Sequence, residues 1–440
     1  MGYFMSQHAG FRLPRILLPR PGIDLRKWAV VACDQYTSEP DYWRQVEAEV
    51  GNAPSTLRLI FPEVHLGAAD ARARIGAIQQ AMRRYLEDGL LVPHEGAVYV
   101  ERTVGGRTRR GLMLEIDLEH YDYAARSSSL VRPTEGTIVE RLAPRIEVRR
   151  DAALELPHIL VLIDDAEGTV IEPLAAARGE LQPLYATELM MDGGALRGWA
   201  VDAARGARAA AALAALGQPE RCAQRYGVPA GTPPLLFAVG DGNHSLATAK
   251  AIWEQTKAQV GPGHPSRYAL VEIENVHDAA LAFEPIHRLL FDVQADLRAA
   301  LRAAFGARLT LTELGSAAEM AARVAGVAAP TQAVGLVEPG PHFALAEIAA
   351  PGASLAVGSV QPVLDAFVTM GGAREIDYIH GDDTLVRLAS ERARAGLHFA
   401  TLGKSDLFRQ VVREGPLPRK AFSMGEAHEK RYYFEARRIR

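Results

Sequence analysis

The chain has 440 residues, 48% of them hydrophobic and 23% charged, a net charge of −4 and two cysteines, Cys33 and Cys222. That length buries one large core or two to three smaller ones, and the charge balance argues against a dedicated nucleic-acid binder. Two cysteines make neither a disulfide framework nor a metal–thiolate site, so a reducing cytoplasm is the expected home. No apolar run approaches the ~20 residues of a membrane span, and residues 1–10 lack the apolar core of a signal peptide.

Residues 11–18 are a short basic and apolar lead-in that stops at Pro19, Arg20, Pro21 and Gly22, a stiff turn signal. Residues 28–33 read as a buried strand, followed by a polar loop at 34–40. Helical periodicity covers 69–88, with Ile75, Ile78, Met82 and Leu86 on one face. Residues 97–102 and 110–117, joined through Gly105 and Gly106, predict a β-hairpin. A charged helix is expected over 138–152 and a buried strand over 158–163, ending at Asp164 and Asp165. The Ala-rich stretch 202–216 reads as a helix stopped by Gly217.

Residues 235–239 form an apolar run that ends at Gly240, Asp241 and Gly242, and a helical pattern follows through Trp253 and Lys257. A strand at 268–274 comes next, and then an apolar segment, 281–291, that carries His287 and Arg288. Residues 292–351 alternate helix and strand as a small α/β subdomain closed by Pro351 and Gly352. Beyond it come a helix at 362–370, a strand at 375–380, a helix at 384–393, a strand at 397–402, a helix at 405–414 and a strand at 431–438. The expected division is a main α/β domain over 1–291, the subdomain over 292–351, and a segment over 352–440 that packs back on the core.

The junction at 241–245 is the sharpest chemical signal. Glycines there let the backbone turn and approach a ligand closely. Asn243, His244 and Ser245 fall in the first helical turn, where amide groups and the helix dipole favour an anion such as phosphate. The competing reading is a tight turn whose Asp or Asn caps the helix. The stretch also brushes a metallophosphoesterase pattern, but its upstream Asp-x-His is absent, and no Gly-Lys-Ser/Thr follows to make a P-loop. Arg141, Arg145 and Arg149, spaced by four, share one helix face, either as a comb for phosphates or as a solvated face paired with Glu140 and Glu147. Glu135 stands just before them. Asp34 and Glu39 lie in a loop after a buried strand, where α/β proteins often place active-site groups; an ordinary polar loop is the alternative. His287 and Arg288 are either a pocket-facing pair or core residues with satisfied partners. The polar tail 420–431, with Phe422, Tyr432, Tyr433 and Phe434, reads as docked and ordered.

Several of these segments together resemble a bacterial and archaeal family, domain of unknown function 1015. They are Thr134, Glu135, Gly136 and Thr137 with the trailing arginines; Asp241, Gly242, Asn243 and His244 with Ala247 and Ala249; Pro285, Ile286, His287 and Arg288; and the tail 420–430. The likeness spans nearly the whole chain in consistent order. The family's Asp-Gly-His-His-Arg-type motif is similar to one in free-serine kinases built on a ParB/sulfiredoxin-like fold, where it begins a helix that receives nucleotide phosphates. The resemblance thus implies a mixed α/β protein with a ParB/sulfiredoxin-like core, Gly242 as the close-approach glycine and His244 facing the phosphates. Asn243 stands for the first His of the motif and Ser245 for its Arg, which removes a strong phosphate partner. The family's usual His-Glu block reads Thr134–Glu135 here.

The expected activity is phosphoryl transfer from a nucleoside di- or triphosphate, with Mg²⁺, to a small hydroxyl-bearing metabolite, serine by resemblance. Asp241, Gly242, Asn243, His244 and Ser245 would seat the phosphates, with His244 also in a catalytic role. Arg141, Arg145, His287 and Arg288 would join them there, Glu39 or Glu135 would serve as base, and Asp34 or Asp241 would hold the metal. The alternatives are a ParB-like nucleotide-binding regulator without turnover and a metal-dependent phosphohydrolase.

Overall fold

The computed structural model describes residues 10–340, 342–418 and 420–440, so the signal-peptide reading of the N-terminus falls almost wholly outside the described residues. The chain is mixed α/β, 38% helix and 27% strand. Among the described residues no helix is long and apolar enough to cross a membrane. Two compact units emerge: residues up to Leu281 joined by Gly425–Arg440, and Ala282–Met424.

The first unit is built on a nine-stranded mixed sheet. Its order is Val131–Pro133, Phe237–Asp241, Leu160–Ile163, Tyr268–Asn275, Arg107–Asp117, Val98–Val104, Ala195–Ala200 and Gln182–Glu188, with Phe11–Arg12 on Arg107–Asp117. The expected hairpin is present, and Gly105 and Gly106 both have positive φ, 55° and 76°, as a two-residue turn between right-twisted strands requires. Phe237 and Val239 share one buried cluster with Leu246, Ala247 and Trp253 of helix Asn243–Val260 and with Val161 and Ile273 of the flanking strands. Each large side chain so buried stabilises by roughly 1.5–3 kcal/mol, which pins the strand-to-helix junction from both sides.

Residues 28–32 are buried, as their apolar character demands, and Cys33 is half-buried, but the segment is not a strand. Leu25–Trp28 is a single helical turn, and Val31 makes an isolated antiparallel bridge to Arg431. The Ala32 amide donates to the Lys430 carbonyl (2.8 Å) and the Tyr432 amide to the Val30 carbonyl (3.0 Å). These few bonds satisfy an extended buried segment that no longer partner flanks. Residues 431–438 differ likewise: within them the strand is Arg437–Arg438, while Tyr432, Tyr433 and Phe434 are buried in irregular chain.

The second unit carries a seven-stranded sheet in the order Leu309–Leu314, His342–Ile348, Gln332–Glu338, Arg394–His398, Phe283–Phe291 and Glu375–His380, with Phe422–Met424 on Phe283–Phe291. The boundaries read from composition, at 291 and 351, cut through this sheet. Composition separates 283–291 from 375–398, whereas backbone pairing joins them in register, Arg288 opposite both Tyr378 and Leu397. Helix Ala356–Thr369 begins earlier than expected and holds Pro362 inside it.

Candidate functional site

Register brings the site together. Phe237–Asp241 runs parallel to Val131–Pro133, with Val239 opposite Pro133. The Thr134 hydroxyl and amide both donate to the Val239 carbonyl, at 2.8 and 3.1 Å, and Glu135 follows at the same edge. On the other side the pairing is antiparallel and Asp241 stands opposite Leu160, so His158 lies at that same end. The bridge between residues 30–32 and the tail then delivers Asp34 and Lys430.

Gly242 begins the helix with φ 77°, a left-handed conformation that favours glycine. A Cβ on it would lie 2.9 Å from Ile159 Cγ1 and 3.0 Å from Ile159 Cα. The close approach this glycine permits is therefore to the protein's own chain. Leu246 is the first residue of the helix whose amide bonds back, to the Gly242 carbonyl at 3.0 Å. The amides of Asn243 and Ser245 precede it and have no intrahelical acceptor. Asn243 Oδ1 is buried with no hydrogen-bond partner. Half-buried His244 occupies the same turn, and its carbonyl accepts from Thr248 Oγ1 at 2.7 Å.

Asp241 faces this turn with both oxygens engaged. Oδ1 accepts from the Gly242 amide (2.9 Å), and Oδ2 lies 3.1 Å from Lys430 Nζ. Burial works against the lysine's charge, but Asp241, Asp34 and Glu135 outweigh it and hold its pKa above the ordinary lysine value. Burial likewise works against the Asp34 carboxylate; His158, a 2.9 Å hydrogen bond from Gln35 Nε2 and Lys430 prevail and keep it below the usual range. One ammonium, in contact with Asp241, is thus also near enough to Asp34 and Glu135 to feel their charge. Cys33 is no nucleophile: burial and then Asp34 push its thiol up, so it stays protonated, accepting from the Tyr432 hydroxyl at 3.0 Å.

Helix Leu142–Arg150 packs against helix Asn243–Val260. Arg145 reaches Glu63 at 2.5 Å and Arg149 pairs with Glu155. The comb is therefore largely neutralised by carboxylates. Arg141, exposed, sits just ahead of the helix, and its carbonyl accepts from Arg145 at 2.7 Å. Glu39 is exposed at the start of helix Pro40–Val50, and among the described residues no hydrogen bond or ion pair ties its side chain to the cluster.

Beside Ser245 a cavity of about 130 Å³ opens between these elements. His158 and Ser245 stand at its polar end, His158 Nε2 3.1 Å from Ser245 Oγ, while Leu59, Met82, Val148 and Leu270 line the rest. Larger recesses of about 750 and 700 Å³ lie along residues 11–15 and 93–96 and contain none of the clustered groups. Of the groups at the junction, His158 and Ser245 line the small one.

His287 and Arg288 belong to the second unit and are fully buried there. His287 Nδ1 accepts from the Phe399 amide (3.2 Å), and Nε2 donates to Asp382 Oδ1 (2.9 Å). Arg288 donates to Gln361 Oε1 (2.7 Å) and to the carbonyls of Ile286 and Lys420 (2.6 and 3.0 Å), beneath the Tyr378 ring. The satisfied-core reading of this pair accounts for these contacts without a ligand. His287, Asp382 and His398 bring ligand-type atoms within 4.8 Å of one another, the one such group among the described residues.

Two members of the cluster are absent from the sequence reading. Lys430 lies in the polar tail, but nothing in its local pattern distinguishes it from Lys420. His158 is visible only as the first residue of a buried run.

A family model described as a protein of unknown function, DUF1015, matches residues 17–367. Among solved structures the chain is similar to a conserved hypothetical protein from Pyrococcus furiosus, at 12% identity over 71% of this chain and 90% of that one, TM-score 0.34. It is also similar to free serine kinase in complex with AMP, at 13% identity over 74% and 91%, TM-score 0.36. A mutant of that kinase in complex with ADP gives 12% identity over 74% and 92%, TM-score 0.38. No curated protein matches.

Proposed function

The chain belongs to the DUF1015 family, and we propose that it is a phosphotransferase that moves a phosphoryl group from a nucleotide to a small hydroxyl compound. One observation carries this reading: the amide end of helix Asn243–Val260 faces a cluster of Lys430, Asp241, Asp34 and Glu135. Phosphoryl transfer asks for such parts, namely donors for phosphate oxygens, a cation and a carboxylate base.

The Asn243 and Ser245 amides and Lys430 would hold phosphate oxygens, with His244 beside them. Three carboxylates against one ammonium leave excess negative charge where phosphates would sit, and this donor set suits Mg²⁺, which is held by one or two carboxylates plus phosphates. Asp34 is the better ligand, because both Asp241 oxygens are already occupied. The ion would neutralise charge that develops on the transferred group. Glu135 would take the acceptor's proton as its oxygen bonds to phosphorus, while the bond to the leaving nucleotide oxygen breaks and that oxygen keeps the electron pair. Arg145, paired with Glu63, lines the neighbouring cavity. His287 and Arg288 have structural work in their own unit.

The test is direct. The full chain is incubated with Mg²⁺, ADP or ATP and a panel of small alcohols and amino alcohols, serine included, and products are read by phosphorus NMR. A new phosphomonoester supports the reading. Nucleotide binding without any product favours the regulator, and release of inorganic phosphate favours a hydrolase.

A further inference from the structure

Apolar residues dominate the cavity beside Ser245, which is unsuited to a compact polar acceptor such as serine. Leu59, Met82, Val148 and Leu270 are among the residues that line it. The charged groups on its walls are already paired, Arg145 with Glu63 and Arg149 with Glu155. Glu155 also accepts from the Leu270 amide (2.8 Å) and from Arg437 (2.7 Å). Among the described residues lining it, His158 Nδ1 is the one buried side-chain polar atom without a hydrogen-bond partner.

We propose that this cavity seats the apolar body of the acceptor, a ring or branched alkyl group, with the acceptor's hydroxyl turned to the His158–Ser245 end. The proposal rests on the phosphotransfer reading for the reaction, but the pocket is argued from its own walls. Its volume of about 130 Å³ is close to the ~150 Å³ apolar cavity that takes a benzene ring. A purine would also fit by size. Its several ring and amino nitrogens would, however, lie against mostly apolar side chains, and each buried polar atom left unpaired costs about 1–3 kcal/mol. An alkyl or phenyl group carries no such cost. The acceptor's hydroxyl then lies at the polar edge that His158 and Ser245 form.

The test uses benzyl alcohol, 2-phenylethanol and serine as probes, and ADP with Mg²⁺ as the separate reporter of the phosphate seat. Affinities for the full-length chain are measured by ligand-observed NMR and calorimetry. Val148→Phe fills the cavity from a half-buried helix position, and Met82→Ala enlarges it. Benzyl alcohol binding wild type more tightly than serine, and weakened about tenfold or more by Val148→Phe, is the expected result, since overpacking costs typically ~1–3 kcal/mol. Met82→Ala should favour 2-phenylethanol over benzyl alcohol relative to wild type, which decides the matter if Val148→Phe does not fold. ADP affinity should change less than about twofold in either variant, well under the tenfold of ~1.4 kcal/mol. Absence of benzyl alcohol binding, or loss of ADP rather than alcohol binding in Val148→Phe, would overturn the proposal; the latter would place the nucleotide base in the cavity. If ADP binds nowhere while benzyl alcohol binds as described, the pocket stands and the phosphotransfer reading falls.

Discussion

Lys430 Nζ lies 3.1 Å from Asp241 Oδ2, joining the tail to the strand that ends in the Asp241–Gly242 turn. The tail is held there by backbone bonds to residues 30–32, so the same contact draws Asp34 in. A site formed this way depends on the docking of residues 425–440 as much as on the motif itself.

Gly242 tests how the junction is built. Gly242→Ala would place a Cβ against Ile159 and force a non-glycine residue to φ 77°. We expect destabilisation of about 1–3 kcal/mol, read as a lower midpoint in urea unfolding, whether or not ligand is present. Adding Ile159→Ala removes the contact to Cγ1 but leaves those to the residue's Cα and Cβ and the backbone strain, so the double variant should lose somewhat less than the sum of the two single losses. Unchanged stability in Gly242→Ala would show that the glycine serves ligand approach alone.

The base assignment separates two glutamates. Glu135→Gln should lower turnover by ~10²–10⁴-fold with nucleotide binding retained, the usual loss for a general base. Glu39→Gln, at an exposed position outside the cluster, should leave turnover close to wild type. The reverse pattern in steady-state rates would move the base to the 34–40 loop.

His287 predicts a pH dependence of the second unit. Burial first, and then the neighbouring His398 and Arg288, lower its pKa to about 4, against the raising effect of Asp382. Above the unfolded value of about 6.5 both states are neutral and stability is undiminished. Between about 6.5 and 4 the unfolded chain takes up a proton that the folded one refuses, so stability falls with pH. The loss should be about 2–3 kcal/mol by pH 4.5. Hydrogen exchange on strand Phe283–Phe291 at pH 7 and pH 4.5 measures it, after correction for intrinsic rates. His287→Gln should flatten this dependence; an equally steep fall in that variant would assign it to other groups.

The sequence pattern places most helices and strands, because apolar periodicity reports a buried face directly. The hairpin at 98–117 and the 237–260 strand–helix unit follow from it. Pairing partners do not. Residues 28–32 are apolar because they are buried, and a strand of the same composition would look identical, so the bridge to Val31 is invisible locally. The same holds for the second sheet, where 283–291 and 375–398 are joined by a register that no composition shift records. Within the site, Asp241 and Ser245 announce themselves through the glycine-bounded turn. Lys430 does not, since its role comes from what folds against it. His287 and Arg288 show the converse: a polar pair in an apolar run is equally what a ligand site or a satisfied core requires, and only the contacts to Asp382 and Gln361 distinguish them.

Calorimetric titration of ADP with Mg²⁺ into the full-length protein and into Lys430→Met tests the central claim most directly. The account predicts saturable binding at one site in wild type. It predicts a loss of roughly tenfold or more in Lys430→Met, the scale of a charge-assisted hydrogen bond worth about 1.5–3 kcal/mol. Far-UV circular dichroism should remain that of the folded chain. Equal ADP affinity in the two proteins, or no binding to wild type, would contradict a phosphate seat at Asp241–Ser245.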